Sequence, residues 1–152
     1  MMEQQRYYIL KYSGALYRQT QAFLSEKLRP YGVGAGQHTY LDCIARHPGL
    51  SMVELTQMSA VDACTTTRAV TKLEELGYVS VCTDPEDKRV RRVYATEKAE
   101  PVVRAIRTYR GEWRDLITQG MSEEEKALAG EMLSRMSHNA HNALRAMREG
   151  QL

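Results

Sequence analysis

Residues 51–95 read SMVELTQMSAVDACTTTRAVTKLEELGYVSVCTDPEDKRVRRVYA. Ser51 with Glu54 three residues later forms a capping box: the hydroxyl takes a free backbone N–H and the carboxylate reaches back to another. This predicts a helix of about two turns ending near Met58. Ser59, Ala60 and Val61 then make a tight connection, and Asp62 is a natural N-cap for a longer helix whose inner face is Val70, Leu73 and Leu76. Gly77 ends that helix from the position after its C-cap. Residues 78–82 and 90–95 alternate and are rich in β-branched side chains, which predicts two strands, with Asp84, Pro85, Glu86 and Asp87 supplying turn chemistry between them. A two-stranded hairpin is marginal in water, so this one must lean on the preceding helices.

Working outward, Ile9, Tyr12, Leu16, Phe23 and Leu24 recur at helical spacing and predict a first helix over about residues 3–27. Pro30, Gly32, Gly34 and Gly36 break it. Tyr40, Leu41, Ile44 and Ala45 mark a short second helix that stops near His47-Pro48-Gly49. After the hairpin, Thr96 is placed to cap a fifth helix with Val102, Val103, Ile106, Tyr109, Trp113 and Leu116 on one face, closed by Gly120. Pro101 removes one backbone bond, so a kink or a late start is expected there. Ser122 and Glu125 form a second capping box, opening a sixth helix with Leu128, Met132, Met136, Ala140, Leu144 and Met147 in register. The predicted class is mainly α with a small β-hairpin: a winged helix-turn-helix at 31–96, flanked by a helical dimerisation region at 1–30 and 97–152. The first, fifth and sixth helices exceed what a winged helix needs, and a second copy of the chain is the economical cover for their apolar stripes.

A chain of 152 residues fits one domain, or one small domain with a dimerisation arm. With 21 Lys and Arg against 19 Asp and Glu the net charge is only +2, so attraction to a polyanion must come from where the charges sit. Cys43, Cys64 and Cys82 are odd in number and lack a C-x-x-C spacing, which argues against a disulfide framework and a cysteine zinc site and fits a reducing cytoplasm. Glu3, Arg6, Lys11 and Arg18 interrupt any leader-like apolar run, and no stretch approaches a membrane span; a soluble, unprocessed chain is expected. No cofactor is expected.

The second helix of the central pair presents Cys64, Thr65, Thr66, Thr67, Arg68, Thr71 and Lys72. Short hydroxyl side chains touch base edges or a thymine methyl without holding the helix out of a groove, Arg68 can fork onto guanine or phosphate, and the helix N-terminus favours phosphate oxygens. A threonine-rich turn alone reads as a solvated face; between a capped helix and a basic hairpin it reads as a surface for double-stranded DNA. In the hairpin, Lys88, Arg89, Arg91 and Arg92 put four cations in five positions. Alternation sends Lys88 with Arg92, and Arg89 with Arg91, to opposite faces, so one pair is expected to be structural. Asp84 or Asp87 is placed to hold a neighbouring arginine and shape the loop. Ser51 is a further phosphate-contact candidate.

Gln37, S-M-V-E-L-T-Q-M, D-A-C-T-T-T-R-A-V-T-K-L-E-E-L-G-Y-V, D-P-E-D-K-R and A-T-E-K-A, in this order, resemble the MarR family of bacterial transcriptional regulators. The motifs cover about residues 37–100, and the flanking helices match the family's dimerisation arms. The resemblance implies an obligate homodimer on a palindromic operator, usually a repressor, often released by a small phenolic, lipophilic or oxidising signal. It places Thr65, Thr66, Thr67 and Arg68 in the base-reading part of the recognition helix. Asp84, Asp87 and Arg89 match the first, fourth and sixth positions of the wing pattern D-x-R-D-x-R. Its third position is Glu86 here, with Lys88 as the substitute cation.

Effectors in this family lodge between the dimerisation helices and the DNA-binding lobe, a crevice that Tyr12, Tyr17, Arg18, His38, Tyr40 and Arg46 would line; aromatic walls with a cation suit an aromatic acid. Cys64, near a helix N-terminus where a thiolate is stabilised, offers a redox alternative. His138 and His141 lie three apart, a spacing open to a metal, but no third ligand accompanies them. Enzymatic motifs such as G-x-S-x-G and H-E-x-x-H are absent, which argues against an enzyme, and a protein-binding winged-helix adaptor is the remaining competitor.

Overall fold

The computed structural model describes residues 2–34, 36–59 and 61–151, with side chains from Tyr8 onward. Its elements follow the order α1 (Met2–Leu28), α2 (Gln37–Arg46), β1 (Leu50–Ser51), α3 (Met52–Ser59), α4 (Ala63–Glu75), β2 (Val79–Thr83), β3 (Arg91–Ala95), α5 (Glu100–Ile117) and α6 (Glu123–Arg148). Single 3-10 turns occupy Arg29–Tyr31 and Glu97–Ala99. The mainly helical winged fold is the one that the periodicity predicts. Ala60, in the connection before α4, lies outside the described residues. Two compact units are present, one reaching to Trp113 and the other beginning at Arg114.

The first unit holds the core. Leu24 and Leu28 of α1, Leu41 and Ile44 of α2, Leu55 of α3, Leu73 of α4, Val93 of β3 and Ile106 of α5 are essentially without solvent contact. On α4 the buried residues are Thr66, Ala69, Val70 and Leu73, at the i, i+3, i+4, i+7 spacing of one helical face. The opposite side of the helix is therefore committed to solvent. Trp113 of α5 ties back to α1, its ring 4.7 Å from that of Phe23 and its Nε1 donating to Thr20 Oγ1 at 2.8 Å.

The hairpin has a third strand. β1 pairs antiparallel with β3 through Leu50↔Val93 and Ser51↔Arg92, giving the order β1-β3-β2. Two residues carry no readable period, and Ser51 already reads as a helix cap; it serves both roles, its hydroxyl accepting from Glu54 N at 3.2 Å. Gly49 makes the pairing possible. Its φ is +83°, and a Cβ there would stand 3.1 Å from the Tyr94 hydroxyl, so only glycine fits without displacement.

Two capping expectations change. Thr96 precedes a 3-10 turn rather than α5, and its hydroxyl donates to Gly77 O at 2.6 Å, closing the base of the hairpin. α5 starts late, at Glu100, with Pro101 in its first turn, where a missing N–H costs nothing.

Arg92 fastens the hairpin. Its Nε donates to Asp84 Oδ2, and its NH1 donates to Gly49 O at 2.8 Å. Asp84 Oδ1 accepts Glu86 N at 2.7 Å and Asp87 N at 3.0 Å, so one carboxylate shapes the loop and holds the strand. Asp87 in turn accepts the Arg89 N–H at 3.0 Å. The Arg92 hydrogen bond, followed by the two loop amides, holds the Asp84 carboxyl down to about 2.

The second unit contains the end of α5 and all of α6. The Ser122–Glu125 box caps α6 reciprocally, with Ser122 N donating to Glu125 Oε2 at 2.7 Å and Glu125 N to Ser122 Oγ at 3.2 Å. None of its described residues is buried. Leu128, Met132, Leu133, Met136, Leu144 and Met147 all face solvent in the single chain. Among the described residues no helix is long and apolar enough to cross a membrane.

Two outcomes follow. Leu73→Ala should cost about 2–5 kcal/mol in urea unfolding, as for other buried leucines truncated in a close-packed core. Asp84 has a depressed folded pKa, so its contribution is complete above its ordinary value near 4 and is lost as pH falls through about 2. In melts followed by circular dichroism, Asp84→Asn should lower Tm at neutral pH, and the gap to the wild type should shrink across that acid window. A gap unchanged by pH would show that the carboxylate charge does not matter.

Candidate nucleic-acid interface

The exposed side of α4 is built from its cap outward. Asp62, at φ −77° and ψ 159°, accepts Thr65 N at 2.9 Å on Oδ1 and the Thr65 hydroxyl at 2.7 Å on Oδ2. Those hydrogen bonds hold the Asp62 carboxyl below its usual range. Cys64, Thr65, Thr67, Arg68, Thr71 and Lys72 are all exposed. Arg68 makes no ion pair or hydrogen bond among the described residues, whereas Lys72 Nζ lies 3.2 Å from Glu75 Oε2. Cys64 is a free thiol, as are Cys43 and Cys82.

Thr66 departs from its expected place. It is fully buried, donating to Asp62 O at 3.2 Å and standing 3.4 Å from the Tyr40 hydroxyl. Helical spacing puts it on the row of Val70 and Leu73, so among the three threonines only Thr65 and Thr67 face outward. A count of positions from the buried leucines would have shown this in the sequence.

In the wing, Lys88 and Arg89 sit in the loop before β3, so strand alternation does not extend to them. Along β3, Arg91 takes the face of Val93 and Ala95, while Arg92 takes the opposite face with its cross-strand partners Ser51 and Cys82. Arg92 is consumed by Asp84 and Gly49. Lys88 and Arg91, both exposed, have no anionic partner among the described residues, and the Arg89 guanidinium has none either. The cationic cluster therefore divides into one structural arginine and three uncommitted charges. Glu86 N is held by Asp84, which fixes an exposed acidic side chain near the loop tip.

The six residues expected to line an effector crevice do not form one set. Tyr12 and Tyr17 are exposed on α1, and Arg18 lies beside Gly14. Tyr40 is in the core against Thr66, and His38 is buried, with Nε2 3.0 Å from Gln21 Oε1 and Nδ1 3.3 Å from Arg110 NH2. Burial first, then the Arg110 charge, pulls the imidazole down to about 4, against an opposing pull from Asp42. Of the six, His38 and Arg46 meet at a centre absent from the expectation: the buried Asp42. Its Oδ2 accepts Arg46 Nε at 3.1 Å and Arg110 NH1 at 2.7 Å, and its Oδ1 accepts Arg107 Nε at 2.9 Å. Burial pushes this carboxyl up, but hydrogen bonds from Arg107 and Arg46 and the charge of Arg110 outweigh it and hold the acid ionised. Three guanidiniums on one carboxylate leave a local excess of positive charge. The signal in the sequence was weak: Asp42 and Arg46 are one turn apart, but Arg107 and Arg110 come from 65 and 68 residues away.

Among the described residues no three His, Cys, Asp or Glu side chains are grouped to hold a metal, and this includes His138 and His141.

The MarR family profile matches residues 35–90, from the loop before α2 to the end of the wing loop. The solved MarR protein from Peptoclostridium difficile DA00132 is 32% identical, with a TM-score of 0.86 over 89% of this chain and 88% of its own. The HTH-type transcriptional regulator YybA of Bacillus subtilis (strain 168), itself uncharacterized, is 26% identical over 93% of this chain and 95% of its own length. A MarR-family regulator from Listeria monocytogenes, solved in complex with a 26mer DNA, shares the fold at 20% identity, with a TM-score of 0.87 over 94% of this chain and 95% of its own. With a capped and outward-facing α4, a three-stranded wing and relatives that match nearly the whole length, the chain belongs to the MarR family of transcriptional regulators.

Proposed function

We propose that the chain acts in the cytoplasm as a two-fold homodimer that grips a palindromic operator and represses transcription until a small aromatic acid loosens it. The observation that carries this reading is the set of uncommitted cations, Arg68 on α4 and Lys88, Arg89 and Arg91 on the wing, beside a helix face of short side chains. A double helix offers what that surface lacks: phosphates for the charges and a groove for the helix. The Listeria relative solved with a 26mer DNA supports the same use of the fold. Residues 31–96 then form the DNA-binding part, with Ser51, Cys64, Thr65, Thr67, Thr71 and Lys72 as further contacts.

Residues 1–30 and 97–152 form the dimerisation region in this proposal. The support is the exposed apolar row of α6, from Leu128 to Met147, which a second copy would bury. A dimer places two recognition helices about one turn of DNA apart and gains the affinity of both half-sites.

The effector reading rests on the Asp42 cluster. Arg46 and Arg107 keep about half of their side-chain surface exposed while sharing one carboxylate. An incoming aromatic carboxylate would compete with Asp42 for these guanidiniums, and Asp42 joins its own helix α2 to α5 through Arg107 and Arg110, so exchange would disturb the support of the DNA-binding part.

Duplex affinity measured against salt tests the main reading. Binding should fall steeply with ionic strength, and Arg91→Ala should reduce the salt slope by about one unit per subunit; a protein-binding adaptor would show neither. Thermal melts with a panel of benzoic acids test the effector. A ligand at about a hundred times its Kd should stabilise the protein by about 2.7 kcal/mol, and Arg46→Gln should remove the effect. An unmoved Tm across the panel would end the effector reading alone.

A further inference from the structure

The hydroxyls of the recognition helix are already engaged. Thr65 Oγ1 donates to the Asp62 carboxylate at 2.7 Å, and Thr67 Oγ1 donates to Ala63 O at 2.8 Å. Thr66 is buried, with its hydroxyl on Asp62 O. Each hydroxyl has a single proton, so neither exposed threonine at the start of α4 has a donor left for a base edge. What remains to each is its γ-methyl and the acceptor lone pairs of its oxygen.

Helical spacing then groups the exposed side chains into two rows. Cys64, Thr67 and Thr71, at i, i+3 and i+7, form one; Thr65, Arg68 and Lys72 form the other. The first row carries no charge, and its first two members present a thiol and a methyl. Of the exposed threonines on α4, Thr71 is the one whose hydroxyl has no hydrogen-bond partner among the described residues. The second row carries both cations of this face.

We infer that the Cys64–Thr67–Thr71 row reads thymine through its C5-methyl group, with apolar contact from Cys64 and the Thr67 γ-methyl in place of hydrogen bonds from a threonine hydroxyl. The major groove displays that methyl at every A·T pair, and small apolar surfaces are its complement. Arg68, on the neighbouring row, is left for guanine or phosphate. The inference rests on the DNA-binding reading above and adds to it the chemical feature recognised and the residue that recognises it.

The experiment uses the full-length protein and a duplex that it selects itself from a pool of randomised 26-base-pair DNA. In that duplex, each thymine of one half-site is replaced singly by deoxyuracil, which removes only the C5-methyl, and affinity is read by fluorescence anisotropy. At least one replacement should weaken wild-type binding about fourfold, the worth of one methyl transferred out of water. Thr67→Val, which keeps a γ-methyl and drops the hydroxyl, should still discriminate thymine from uracil at that position. Thr67→Ser, which keeps the hydroxyl and drops the methyl, should not. If Thr67→Ser retains the discrimination and Thr67→Val loses it, the hydroxyl is the reader and the inference is overturned. A selected duplex with no uracil penalty anywhere overturns it too, without reference to any variant, and leaves the DNA-binding reading standing. Failure to enrich any duplex overturns both.

Discussion

The Arg92 guanidinium is the joint on which the wing depends. It joins three segments: its own strand β3, the adjoining wing loop through Asp84, and the turn before β1, 43 residues away, through the Gly49 carbonyl. Arg92 is only about a third exposed and Asp84 a tenth, so this pair stands in a less polar setting than an exposed surface pair, which is worth little. By taking Asp84 it also removes the wing's best-placed anion from competition with its neighbours. The remaining cations of the wing keep their charge for a partner because one arginine has given up its own.

The same division of labour runs through α4. Its apolar face, with Thr66 among the core leucines and valines, fixes the rotation of the helix about its axis. Rotation decides which side chains face outward, and the Asp62 cap decides what those side chains can still do. A carboxylate that accepts both the amide and the hydroxyl of Thr65 strengthens the helix start at the expense of a donor. The stability of α4 and the hydrogen-bond donors it leaves free are thus set by the same contacts.

Behind this surface lies the Asp42 centre, where α2 and α5 meet through charge rather than through apolar packing alone. Burying one carboxylate among three guanidiniums is costly unless its lone pairs are filled, and here both oxygens are used. Two of the three guanidiniums, Arg107 and Arg110, come from α5, and the third, Arg46, from α2 itself.

Much of the architecture was legible in the residues. Capping boxes at Ser51–Glu54 and Ser122–Glu125, the Asp62 cap, the glycine after α4 and the period of the buried leucines are local signals, because helix ends and faces are determined by side chains within a turn or two. The strand β1 was not legible, since a two-residue strand exists only through its partner β3. The wing arginine that would become structural was equally hidden: Asp84 had several arginines within reach, and only the register of β3 selects Arg92. Thr66 was misplaced where the helix start was read as a block instead of by its period.

The sequence by itself determined the order and limits of the helices, the turn chemistry of the wing and the concentration of cations there, because these depend on neighbours along the chain. Tertiary structure decided which cations and hydroxyls stay available, and it alone brought Arg107 and Arg110 to the local pair of Asp42 and Arg46. The physical reason is that a hydrogen bond or an ion pair is a matter of distance in space, and a free donor is defined by the absence of every such neighbour, near or far in the chain.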